Sequence, residues 1–258
     1  MVTAILGILT GLVSGTMAGA FGVGGAIVST PAVQVLLGAP AFVAVGTPLP
    51  AIFPTTVSGV QAYRRAGQID WRAVAWAAPP GAVAAAAGAY VTQFLNPSGL
   101  LLATALLIGW QAYRVGTGRS VPEGSEHSAQ PSGEALAVTG LVAGFASGLL
   151  GIGGGVILVP VMAGILGMPL KRTLGTSLVV ITFMVIPGTI VHARLHHINW
   201  VIFLWLSLGV IPGAALGSRW TIRAKERTLR LAVSAFLSIV AILYAALEIH
   251  DLVKGIRR

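Results

Sequence analysis

Displaced by 129 residues the chain matches itself, so that Leu12 to Gly88 falls on Leu141 to Gly217 without a gap. Gly15 and Gly144, Gly19 and Gly148, Gly24 and Gly153, Pro31 and Pro160, Thr47 and Thr176, and Trp71 and Trp200 coincide in that register. Alanine and leucine pair by chance in apolar sequence; Gly, Pro and Trp in one ungapped register do not, and the pattern reads as an internal duplication. The fold must then be built twice from one plan, residues 1–115 and 134–258. A polar linker, 116–133, joins the copies and carries Pro122, Glu123, Glu126 and Pro131.

The repeated unit suits lipid rather than water. Hydrophobic residues make up 55% of the chain, charged residues 9%, and mean hydropathy is +0.88. Soluble domains need about 25% charged residues to cover their surface, so a soluble fold is excluded. Apolar stretches run over about 3–37, 41–63, 73–92, 98–113, 135–168, 173–192, 200–218 and 231–249. A crossing takes about 20 apolar residues, which predicts an all-α integral membrane protein of eight to ten segments with no room for a soluble enzyme domain. The excess of 16 Lys and Arg over 7 Asp and Glu lies between these stretches, as cationic loops beside a membrane do. Nucleic-acid binding would instead want a basic face. No cysteine is present, which removes disulfides and thiolate metal sites. Ala18-Gly19-Ala20 resembles a leader cleavage site, but no Lys or Arg precedes it and its segment recurs in mid-chain.

Two stretches, 3–37 and 135–168, are too long for one crossing and are interrupted at Gly22, Gly24 and Gly25 and at Gly151, Gly153, Gly154 and Gly155. Each reads as two helical pieces joined by a break. If each stretch crossed once, Arg64, Arg65 and Arg72 would face away from Lys171, Arg172 and the cluster Arg219 to Arg230, against the positive-inside rule. If each crosses and returns, every half has five segments, the halves are inverted, and all basic clusters share the cytoplasmic side. The pieces after the breaks are too short to cross unaided, which suits re-entry or burial in protein.

The glycine runs GTMAGAFGVGGAIVSTP and GFASGLLGIGGGVILVP carry a family resemblance. Each is followed by a short Gly-x-Pro loop and by Gly46-Thr47-Pro48-Leu49 or Gly175-Thr176-Ser177-Leu178. Together they resemble the sulfite exporter TauE/SafE family over nearly the whole chain outside the linker. The resemblance implies an inner-membrane protein that moves small anions, often organosulfur compounds or sulfur oxyanions. The copies differ at Ala26 against Gly155 and Pro48 against Ser177, so they are not expected to contribute equally.

The residues give this reading a site. Unwound glycines free backbone N–H groups at a half-helix N-terminus, where an anion is stabilised. The anion is therefore expected between Gly22–Gly25 and Gly151–Gly155, with Thr47 and Thr176, read as opening the next helices, as hydroxyl donors or as caps. Gln34 and Gln61 are further candidates, and Thr55, Thr56 and Ser58 add hydroxyls that serve a path or a helix-to-helix bond. Acidic residues lie in loops or at segment ends, which disfavours carboxylate-coupled cation transport. His192 with Arg194, beside His196 and His197, could gate or carry a proton, or form a plain basic loop. No acidic or cysteine partner stands near these histidines, so neither metal nor other cofactor is expected. Gly7, Gly11, Gly15 and Gly19, like Gly140, Gly144 and Gly148, recur every fourth residue, the spacing of close helix packing in lipid. Trp71, Trp76, Trp200 and Trp205 read as interfacial anchors. The expected partners are a small anion and the bilayer, and nothing opposes a homo-oligomer. The competing reading is a structural or assembly subunit without transport, since the glycine stripes would serve that too.

Overall fold

A computed structural model describes residues 2–95 and 131–225, together with 228, 229, 231, 232 and 235. The expected segment 98–113, all of 231–249 but 231, 232 and 235, and most of the linker lie outside these residues. Nine helices follow one another among the described residues, with no strand. They are α1 (Val2–Phe21), α2 (Ala26–Val35), α3 (Ala41–Gly46), α4 (Pro48–Arg65), α5 (Trp71–Val91), α6 (Gly133–Leu150), α7 (Gly155–Pro160, continued by a π turn over Val161–Ile165), α8 (Leu170–Arg194) and α9 (Trp200–Arg223). Among the described residues six spans are long and apolar enough to cross a membrane: α1, α3 with α4, α5 with the residues to Phe94, α6, α8 and α9. Residues 26–35 and 155–165 form the short apolar pieces after the two breaks.

Local chemistry sets the helix ends. Asp70 Oδ1 accepts from Ala73 N at 3.0 Å, and Asn199 Oδ1 accepts from Val201 N and Ile202 N at 3.1 Å, so α5 and α9 start at side-chain caps. Trp71 and Trp200 follow these caps and stay exposed, where an interfacial anchor belongs; Trp76 is exposed but also packs on Gly133, and Trp205 turns inward onto Gly7. Thr47 stands at the start of α4 but its side chain caps no N–H there, and Thr176 does not open its helix. Pro40 and Pro169 precede the first turns instead, Thr47 is helical (φ −65°, ψ −38°) between α3 and α4, and Thr176 sits in the second turn of α8. A proline just before the first turn lacks the N–H that the turn would leave unpaired, which fixes the start earlier than the Gly-Thr pair suggests.

Glycine stripes position the helices. A Cβ on Gly11 would meet the Leu206 carbonyl and one on Gly15 would lie 2.5 Å from the Val210 carbonyl, so α1 lies backbone to backbone along α9. Gly140 against Ala77 and Gly144 against Gly81 set α6 along α5 in the same way. Contacts advance together along α1 and α9 (Gly7 with Trp205, Gly19 with Ala214), and along α4 and α9 (Thr47 with Asn199, Ser58 with Ile211). These three helices run one way. By the same test α5, α6 and α8 share a direction, and α8 opposes α4 because Gly175 packs on Tyr63 while Gly46 packs on His197. After the first break Gly25 backs onto Ser14 and α2 returns to pack Val33 with Ile202 and Leu206, so the stretch 3–37 goes in and comes back.

The directions sort the charges. Arg64, Arg65, Arg72, Lys171, Arg172, Arg219, Arg223 and Lys225 gather at one end of the bundle, the basic end, where Arg172 pairs with Asp70 at 3.3 Å and Lys171 Nζ donates to the Ile222 carbonyl at 3.0 Å. The other end carries Arg194 and the three histidines 192, 196 and 197.

Candidate functional site

The two breaks meet. A Cβ on Gly24 would lie 3.6 Å from Gly153 Cα, and one on Gly153 would lie 3.6 Å from Gly24 Cα, with Ile52 and Ile181 packed around them. Every residue from Gly22 to Ile27 and from Gly151 to Pro160 is buried. The turns need glycine, because φ is +66°, +87° and +81° at Gly22, Gly24 and Gly25 and +66°, +84° and +73° at Gly151, Gly153 and Gly154. Gly22 N and Gly151 N close the preceding helices on the Ala18 and Ser147 carbonyls at 2.8 and 2.9 Å. Beyond those bonds, the amides of Val23, Gly24, Gly25 and Ala26, and of Ile152, Gly153, Gly154 and Gly155, have no acceptor among the described residues. Buried N–H groups are nearly always paired, and leaving one unpaired costs about 1–3 kcal/mol, so eight of them at one junction leave donor capacity that the described residues do not use.

Hydroxyls add to the junction, though not the expected ones. Ser147 is fully buried with its Oγ unpaired, and its Cβ lies 3.3 Å from where a Gly154 Cβ would stand. Ser177 Oγ donates to the Gly22 carbonyl at 2.9 Å. Sequence reasoning passed over Ser147, and the signal for it is a difference between the copies, since its counterpart is Ala18. Thr47 and Thr176 are both fully buried, but their oxygens accept from Asn199 N at 3.0 Å and Asp70 N at 2.9 Å, tying α4 and α8 to the loops that precede α9 and α5. Gln34 is half-buried toward the far end of α2 and Gln61 is exposed near the end of α4, so neither joins the buried junction. Thr55 donates to Ala51 O, Thr56 to Phe53 O and Ser58 across to Ile211 O.

A second matched pair clamps the helices that enter the breaks. Tyr63 Oη donates to the Gly19 carbonyl at 2.9 Å, and at the corresponding place in the second copy His192 Nε2 lies 2.9 Å from the Gly148 carbonyl. His192 is buried and Arg194 is exposed. His197 stacks on Phe42 with ring centroids 4.8 Å apart, and burial, with the neighbouring His196 charge second, holds its imidazole below the ordinary histidine range. Beside it opens a recess of about 600 Å³ between Leu37–Pro40, Val43 and Ile198–Ile202. The matching place at the basic end holds the Arg172–Asp70 pair. Chemically, the buried junction offers neutral donors and, among the described residues, no carboxylate, which is the chemistry that hydrogen bonds and backbone dipoles would need to hold an anion.

A probable membrane transporter protein of Xylella fastidiosa strain Temecula1 is 28% identical over 217 residues, 83% of each chain. The probable membrane transporter protein YunE of Bacillus subtilis is 26% identical over 95% of this chain and 96% of its own. A probable membrane transporter protein of Methanocaldococcus jannaschii is 24% identical over 91% of this chain and 92% of its own. No solved structure matches. The family model for the sulfite exporter TauE/SafE matches residues 7–244, and with six membrane-length helices among its described residues the chain belongs to that family as a multi-pass membrane protein.

Proposed function

We propose that the chain carries small anions, sulfur oxyanions or organosulfonates, across the inner membrane by alternating access between two inverted repeats, 1–115 and 134–258, joined by the linker 116–133. The reading gives the bundle ten segments, counts no catalytic step, and sets the basic end in the cytoplasm. The observation that carries it is the set of unpaired buried amides where Gly24 meets Gly153. The opposed directions of α1 and α6, of α4 and α8, and of α5 and α9 support inversion, since each has its counterpart 129 residues on. In this reading Gly22–Gly25 and Gly151–Gly155 hold the anion, Ser147 and Ser177 flank it, Thr47 and Thr176 hold the frame and keep a hydroxyl proton to donate, and His192 supplies a proton.

Counterflow of labelled sulfite, thiosulfate, sulfate and sulfoacetate in proteoliposomes tests the proposal. At least one should exchange without sodium. Gly24→Ala has room for its Cβ but strains a left-handed backbone, so it should fold and lose flux. Thr47→Val and Thr176→Val each strand a loop amide and should cost about 1–3 kcal/mol of stability with reduced affinity. No counterflow of any anion, or a strict sodium requirement, would overturn the reading.

A further inference from the structure

The second copy holds two histidines where the first has Tyr63 and Gln68. His192 Nε2 lies 2.9 Å from the Gly148 carbonyl and its Nδ1 lies 3.2 Å from His197 Nδ1. A carbonyl only accepts, so Nε2 carries a hydrogen, and in neutral His192 Nδ1 is then an acceptor. At that separation His197 Nδ1 must supply the hydrogen. One proton thus lies between the rings, and His197 Nε2 is left as an acceptor. His197 is half-buried, and the next residues, Ile198 and Asn199, line the recess at the histidine end. On the inner side Gly148 adjoins Ser147, whose unpaired hydroxyl borders the second break. In the first copy Tyr63 makes the same bond to Gly19 through a phenol, which takes up no proton near neutrality.

We infer that His197 and His192 form a one-sided proton relay that places a positive charge beside the second glycine break when an anion enters from the histidine end. A proton from the recess binds His197 Nε2. The bridging proton passes from His197 Nδ1 to His192 Nδ1, so His197 returns to neutral with its hydrogen on Nε2, while His192 becomes an imidazolium donating from Nε2 to Gly148. That charge sits at the C-terminal end of α6, where exposed carbonyls favour a cation. Loss of the proton by the reverse steps resets the pair. The inference rests on the transport reading and names the proton as its co-substrate. The charged neighbour of His197 is His196, and Arg194, on the same segment, is exposed; among the described residues α3 brings Phe42 to the pair, α6 brings Gly148, and neither brings an ionisable group.

The relay can be read without any anion, by ¹⁵N NMR of histidine-labelled protein in lipid nanodiscs. His192 should carry one hydrogen at neutral pH and gain a second on acidification. His197→Phe, which keeps the stack on Phe42 and has no proton to pass, should delay that gain by a pH unit or more. His192→Tyr, the residue of the first copy, keeps a donor to Gly148 and should leave His197 titrating as a single, uncoupled histidine. If His192 titrates identically in His197→Phe, or stays singly protonated down to pH 5 in the parent, the relay is overturned. Counterflow of labelled sulfite and the other anions is scored separately: a coupled titration without flux of any of them supports the relay and overturns the transport reading alone.

Discussion

At the scale of single residues, the fold depends on side chains that are missing. Gly11 faces the backbone of α9 and Gly38 faces open space at φ +63°. Gly11→Ala should therefore push α1 off α9 and cost about 3 kcal/mol or more, whereas Gly38→Ala should cost only the left-handed strain, about 1–2 kcal/mol. Unfolding in mild detergent distinguishes the two. His197 makes stability depend on pH. Its imidazole is held below the ordinary value near 6.5, so the unfolded chain binds the proton more readily. The contribution is complete above that value and declines as pH falls beneath it, and unfolding scans at pH 7.5 and 5 should show a slope that His197→Phe reduces. Which glycines matter was legible, because a four-residue spacing in apolar sequence has few other uses. Ser147 was not, since one hydroxyl among small residues is unremarkable until its neighbours' missing partners are known.

At the scale of elements, caps and ties between loops and helices decide where segments begin. Asp70 both caps α5 and pairs with Arg172, whose side chain is 48% exposed against 20% for Asp70. Asp70→Asn keeps the cap and should cost less than about 1 kcal/mol, as exposed ion pairs do. Asp70→Ala loses the cap as well and should cost about 1 kcal/mol more, measured by the same unfolding assay. The helices and their breaks could be read in advance from apolar length and glycine, which are local properties. The roles of Thr47 and Thr176 could not, because their partners, Asn199 and Asp70, stand 152 and 106 residues away in sequence. A Gly-Thr pair at the edge of an apolar run looks like a helix start, and only the prolines one to two turns earlier correct it.

At the scale of the molecule, two ends of unlike charge predict an orientation. Ala66 and His196 are exposed, Ala66 at the basic end and His196 at the other. In this cysteine-free chain, Ala66→Cys and His196→Cys can be probed on intact cells with an impermeant thiol reagent. Labelling is expected at 196 and not at 66; the reverse pattern would invert the orientation, and labelling of both would place the two loops on one side. The common end of the basic loops was readable from sequence, but the pairing of helices was not, because small residues do not say which backbone they will meet. That pairing crosses the copies: α1 lies on α9 and α6 on α5. In time rather than space, the groove that receives α1 is made long after α1 itself. While the ribosome works through the intervening residues, the first glycine stripe waits in lipid without its mate, and that contact closes only once α9 has been made.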